Sequence, residues 1–188
     1  LLIGGAPCAM EDQARARVLS PVPFEVISIN GAWAMLDGKP KLPFAIITAH
    51  GPEEFAGNHN PPAGIERHQY DPQGHKCQAS DFCWSGVGGL STGTSSLCAA
   101  IIALQMGFQT VILCGVPLSI DGYSDRYIQT PGQPSEFAPG DKKMNGTFLS
   151  RHITWGNYAN GGALKGVYSM SGKPREILGE PSFLKEYE

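Results

Sequence analysis

An α/β fold, with a mostly parallel sheet flanked by helices, is predicted by three features of the 188-residue sequence. The first is its opening: residues 1–3 are an apolar run that enters the turn Gly4-Gly5-Ala6-Pro7-Cys8, and residues 9–19 then read as a helix. Strand, glycine turn and helix in that order begin a nucleotide-binding α/β fold. The second is the recurrence of short apolar runs at 24–29 (FEVISI), 44–48 (FAIIT) and 110–113, which have the length and composition of strands buried on both faces. The third is the stretch 85–117, which holds a glycine loop at 86–91, the hydroxyl-rich TGTSS at 92–96, an apolar helix at 97–106 and an interior strand at 111–113. Gly107 stands where a helix C-cap belongs.

That third stretch predicts where a ligand would bind. A helix N-terminus carries free N–H groups and the positive end of a dipole, so the glycines and hydroxyls ending in Gly93, Thr94, Ser95 and Ser96 suit a phosphate or carboxylate. In an open parallel sheet, ligands sit beyond the carboxyl ends of the strands. Asn30, which ends the second apolar run, and His50, which follows the third, fall there. Asn30-Gly31 is also a common turn pair, so a purely conformational role competes with a binding one.

Composition narrows the reading. With 41% hydrophobic and 16% charged residues, one substantial core is expected, and 1–188 reads as a single domain. A net charge of −3 and no basic run give no electrostatic footprint for duplex nucleic acid. No apolar run approaches the roughly 20 residues of a membrane span, and no signal-peptide pattern opens the chain, so a cytoplasmic protein is expected. The sequence begins within a strand without methionine, and the natural start is expected upstream. Cys8, Cys77, Cys83, Cys98 and Cys114 are odd in number and two lie in predicted core, so free thiols in a reducing compartment are expected rather than a disulfide frame.

Two segments read as long loops. Residues 52–82 are rich in Pro, Gly, His and Asn, and 118–148 are polar and Pro/Gly-rich with Tyr123, Tyr127 and Phe137, which has the character of a lid. His50, His59, His68, His75, Cys77 and Cys83 cluster in sequence, but no CxxC or HxxxH spacing supports zinc, and no metal site is expected. A last strand is predicted at 166–170, followed by an exposed, charged tail.

The order of these pieces, from the GGAPC turn through a strand ending in Asn, GTSS with its apolar helix, and the strand LCGVP, resembles the family 42 bacterial sialyltransferases. It is also similar to the wider Rossmann-like superfamily that includes archaeal hydroxymethylpterin diphosphokinases and uncharacterised phage proteins. The resemblance implies a Rossmann-like domain in a bacterial or phage-infected cell, with Gly4, Gly5, Ala6 and Pro7 in the first nucleotide-contacting turn and Asn30 beside the nucleotide. It implies nucleotide-sugar binding at Gly93, Thr94, Ser95 and Ser96, departing-phosphate contacts from Tyr123 and Tyr127, and a histidine base at His152. Gly5 and Cys8 replace the family's asparagine and serine in the first turn, Ser96 replaces a glycine, and Pro117 stands where the family has an acidic residue.

The implied activity is a glycosyltransferase that takes a sugar from a nucleotide-activated donor, a CMP-sugar, to a hydroxyl acceptor such as a glycan, with no further cofactor. Such a transfer needs a base matched to neutral pH for the acceptor proton and oriented donors for the leaving phosphate. Two rivals remain open. A pterin-type diphosphokinase would hold Mg²⁺-ATP on carboxylates, for which Asp121 and Asp125 are the acidic pair near a strand end. A non-catalytic nucleotide-binding or phage-associated protein would keep the fold, with Tyr123, Tyr127 and His152 in packing roles.

Overall fold

The structure, a computed structural model, describes residues 1–20, 22–36, 42–49, 63–71, 77, 80–85, 94–118 and 142–184, with the side chains of 19, 142–150 and 184 outside that description. Seven strands form one sheet: β1 (Leu2–Ile3), β2 (Ile27–Ile29), β3 (Ala45–Thr48), β4 (Glu66–Tyr70), β5 (Phe82–Trp84), β6 (Val111–Cys114) and β7 (Val167–Ser169). Their spatial order is β5-β4-β3-β2-β1-β6-β7, and every pairing is parallel. This is the α/β, Rossmann-like arrangement the sequence predicts. The strand order reverses at β1, which lies between β2 and β6, so a crevice is expected beyond the carboxyl ends of β1 and β6.

Alternation along the strands divides the core into two layers. Leu2, Ile27, Ile29, Ala45, Ile47, Val111 and Leu113 face one side, where they meet helix α2 (Ser95–Gln105) and Trp155 of helix α3 (Lys142–Asn160). Ile3, Ile112 and Cys114 face the other, against Ala9 and Ala16 of helix α1 (Ala9–Leu19) and Met35 and Leu36 of a 3₁₀ helix (Asn30–Leu36). Both faces are therefore covered, which is why the central strands are continuous apolar runs rather than alternating ones. No helix among the described residues is long and apolar enough to cross a membrane.

The ends of α2 follow the predicted punctuation. Thr94 is the N-cap, its Oγ1 accepting the N–H of Leu97, while Gly107 follows Met106 in the left-handed region (φ 96°) and Phe108 N–H reaches back to Ala103 O. That is the glycine-ended C-terminus expected where an L-side chain would be strained. Residues 107–110 lead directly into β6 at the amino edge of the sheet, so the N-terminus of α2 points to the carboxyl edge.

Three expectations require correction. The loop predicted at 52–82 contains β4 and runs into β5; β4 reads Glu-Arg-His-Gln-Tyr, too polar for a strand by composition. The buried histidine at its centre is paired: His68 Nδ1 accepts Trp84 Nε1–H at 3.0 Å, His68 Nε2 meets Glu66 Oε2 at 3.1 Å, and the ring stacks on Phe82. The tail after β7 is not simply exposed, since it forms helix α4 (Gly172–Leu178) and a 3₁₀ turn (Ser182–Leu184), with Ile177 and Phe183 packed on the two core layers. Finally, the cysteines are not all free. Cys77 and Cys83 form a disulfide with Cα atoms 5.6 Å apart, while Cys8, Cys98 and Cys114 are thiols. Of the segment 118–148 that held the lid expectation, residues 142–148 begin helix α3 rather than a loop, and 119–141, with Tyr123, Tyr127, Asp121 and Asp125, lie outside the described residues.

Burial pushes the Cys114 thiol up to about 12, with the charge of Asp12 adding to the effect. An acid whose pKa is raised on folding keeps its stabilising effect below the unfolded pKa and loses it above, because only the unfolded chain then releases the proton. Unfolding free energy should consequently fall as pH rises from about 9 toward 12. The fall should be shallower in Cys114→Ala, as denaturant titrations of both proteins across that range would show.

Candidate functional site

Several candidate residues meet at the carboxyl edge, around the reversal between β1 and β6. The turn after β1 is fixed by the end of β6 more than by any ligand. Gly4 N–H donates to Cys114 O at 2.8 Å and Ala6 N–H to Gly115 O at 3.3 Å, while Pro7 has no N–H to offer. A Cβ on Gly4 would lie 2.4 Å from Gly115 O, so this glycine answers to a backbone approach within the chain. Of the first turn's predicted anion donors, Gly4 and Ala6 are thus already engaged, and the buried Gly5 is the remaining amide among the four predicted residues.

Asn30 stands at the carboxyl end of β2 in a left-handed conformation (φ 51°), which asparagine tolerates better than most residues. Ser28 Oγ donates to its carbonyl at 3.1 Å. Its side chain is 8% exposed, and Oδ1 has no hydrogen-bond partner among the described residues. The same is true of Ser95 Oγ at the first turn of α2, in a residue 7% exposed. A buried polar atom left unpaired costs about 1–3 kcal/mol, so each such oxygen asks for a partner. With Thr94 Oγ1 taking Leu97 N–H, the amides of Ser95 and Ser96, which have no intrahelical acceptor, lie at the positive end of the α2 dipole.

His152 reaches this edge from α3. Its Nε2 lies 3.0 Å from Leu118 O, just past β6, where Leu118 is the other described non-glycine residue with positive φ (51°). A carbonyl only accepts, so Nε2 carries the proton and Nδ1 is left with its lone pair. The ring is half-buried. Gly93, Tyr123 and Tyr127 lie outside the described residues, as do His50, His59 and His75 of the histidine–cysteine cluster. Cys77 and Cys83 are bonded to each other and both ring nitrogens of His68 are engaged, so none of these three is a free metal ligand. No group of metal-binding side chains occurs among the described residues.

Sequence reasoning missed Asp12. Its carboxylate, in a residue 7% exposed, accepts Gly115 N–H at 2.9 Å and Ser171 Oγ–H at 2.6 Å through the same oxygen. With the serine proton committed to Asp12, the Cys8 thiol, 3.5 Å away, donates to Ser171 Oγ. Burial pushes that thiol up, and Asp12 reinforces the shift, so Cys8 is not an activated nucleophile. An acid early in a helix reads from sequence as a partner for the dipole; nothing local reveals partners 103 and 159 residues away. Its structural work is to lock α1, the end of β6 and the turn after β7 together beneath the crevice.

No protein-family model, curated protein or solved structure matches this chain. The chemistry at the carboxyl edge is therefore the ground on which a function can be argued.

Removing the carboxylate in Asp12→Ala should cost about 2–4 kcal/mol, because Gly115 N–H and Ser171 O–H lose their acceptor together. Ser171→Ala should cost about 1 kcal/mol, since Asp12 keeps Gly115. Equilibrium unfolding of the two variants beside the parent protein measures the difference, and equal losses would contradict the shared-acceptor geometry.

Proposed function

We propose that the chain is a glycosyltransferase that binds a nucleotide-activated sugar, a CMP-sugar, at the carboxyl edge of its sheet and transfers the sugar to a hydroxyl acceptor. The observation that carries this reading is a pair of buried, unpartnered oxygens, Asn30 Oδ1 at the carboxyl end of β2 and Ser95 Oγ at the start of α2, the latter beside amides that have no intrahelical acceptor. The amides of Ser95 and Ser96 call for an anionic acceptor such as a phosphate. Asn30 Oδ1 calls for a donor, which a ribose hydroxyl or a base amino group supplies. A nucleotide offers both on one molecule, and a strand-order reversal in a parallel sheet is where nucleotides bind in this architecture. The turn order that resembles family 42 sialyltransferases supports the sugar and the cytidine base.

In this reading the acceptor hydroxyl attacks the anomeric carbon as the bond from that carbon to the phosphate oxygen breaks. The hydroxyl proton passes to His152 Nδ1, the nitrogen left free by the bond from Nε2 to Leu118 O. The charge that collects on the leaving phosphate is met by the α2 N-terminus, with Tyr123 and Tyr127 as further donors, and no metal is needed.

A second reading has one observation in its favour: a histidine whose Nε2–H is held by a main-chain carbonyl is also what a structural histidine looks like. The protein would then bind nucleotide without transferring anything.

Calorimetric titration with CMP, UDP and ATP, with and without Mg²⁺, separates these readings. CMP should bind without Mg²⁺. Its affinity should drop roughly 5–10-fold in Ser95→Ala and in Asn30→Gly, which keeps the left-handed backbone while removing the amide. His152→Ala should reduce turnover with a CMP-sugar by roughly 10²–10⁴-fold at nearly unchanged CMP affinity. If His152→Ala instead lowers stability and CMP binding together, the binding-only reading replaces the transferase. Absence of binding to any nucleotide would end both.

A further inference from the structure

The disulfide that the cysteine count argues against sits at an edge of the sheet, with Cys83 exposed and Cys77 half-buried. β5 is an edge strand with a neighbour on one side only, and Cys83 at its centre is exposed. Phe82 beside it is 48% exposed, and the Arg67–Asp81 ion pair at the entry to the strand is also open to solvent. β5 is three residues long, held to β4 by the pairs His68↔Phe82, Gln69↔Cys83 and Tyr70↔Trp84. The bridge adds one covalent tie from Cys83 back to Cys77, across a separation of six residues.

So short a closure constrains little of the unfolded chain compared with a long one, and the bridge does not span the core. Its effect is local to the sheet edge. The three other cysteines are unsuited to exchange with it. Cys98 and Cys114 are buried, the Cys114 thiol is held protonated by that burial, and Cys8 is tied to Ser171 with its thiol likewise pushed up. Internal reshuffling is therefore closed off, and a thiolate that opens the bridge has to come from solution.

We propose that Cys77–Cys83 is a thiol-exchange site for an external dithiol reductant and that its redox state sets the order of edge strand β5. One thiolate of the dithiol attacks a bridge sulfur, forming a mixed disulfide and releasing the other cysteine as a thiolate, which takes up a proton. The second thiol of the reductant, as its thiolate, then displaces the remaining cysteine. The bridge becomes two thiols and the dithiol becomes a disulfide, so two electrons and two protons move from reductant to protein. With the tie gone, β5 is held by its one-sided ladder, the Trp84–His68 hydrogen bond and the Phe82 stack, while the six other strands stay paired with one another. This inference does not depend on which ligand the carboxyl edge binds.

The test uses the full chain, oxidised or treated with dithiothreitol under native conditions, with alkylation and mass spectrometry to locate new thiols and hydrogen exchange to follow the strands. Labelling should appear at Cys77 and Cys83, and exchange at residues 82–84 should rise by roughly 10-fold or more while 111–114 stay protected. The double variant Cys77→Ser/Cys83→Ser should show the same local rise without reductant. A bridge that resists dithiothreitol until denaturant is added overturns the proposal. So does exchange at 82–84 that is equal in both forms. A double variant that loses protection at 111–114 as well would make the bridge a global staple, which also overturns it.

Discussion

The centre of the sheet rests on the meeting of two backbones at the reversal of strand order. Gly4 and Gly115 come so near that a Cβ on the first would strike Gly115 O at 2.4 Å, and one on the second would strike Ala9 Cβ at 2.3 Å. Gly4 N–H and Ala6 N–H close onto the last two residues of that strand end, and Asp12 takes Gly115 N–H from the other side. The position of α1, the register of β1 against β6 and the floor of the crevice all follow from this contact. The candidate ligand groups therefore lie around the contact rather than in it: Asn30 beyond β2, the Ser95 and Ser96 amides on α2, and His152 on α3.

Much of this was legible in the sequence because it rests on burial. β1, β2, β3 and β6 are covered on both faces and are accordingly written in apolar letters apart from Ser28 and Thr48, while α2 begins with a capping threonine and ends with the glycine its C-terminus requires. β4 was not legible, since its residues are polar and its place in the sheet is supported by His68 bonding to Glu66 and Trp84, partners that only the folded sheet brings into range. The tail was misread for a similar reason: charges such as Lys173 with Glu176 occupy the outer side of residues whose apolar members pack inward.

The site divides along the same line. Asn30, Thr94, Ser95 and Ser96 could be nominated because strand ends and helix starts are local features that sequence spells out. What sequence could not supply is which atoms are spent. The first turn, nucleotide-contacting by resemblance, has two of its amides serving β6, whereas Ser95, in the stretch that sequence nominated as the anion cradle, and Asn30 retain unsatisfied oxygens. Asp12 and the Cys77–Cys83 bridge escaped notice because each depends on a neighbour supplied by tertiary structure, and a count of cysteines contains no information about which pair a sheet edge will align.

The order of the strands also has a bearing on how the chain acquires its structure. β1 is made first, and β2, β3, β4 and β5 can be added outward on one side as they are synthesised, yet Leu2 pairs on its other side with Leu113. Until α2 is made, the apolar face it covers lies bare, and until β6 follows, the central strand has an open edge. Closing that edge joins residues far apart in the chain, which makes it the late and entropically expensive event in assembly. A nascent chain that stalls before residue 95 would expose both the unpaired β1 and a bare hydrophobic sheet face, the features that recruit chaperones or seed aggregation.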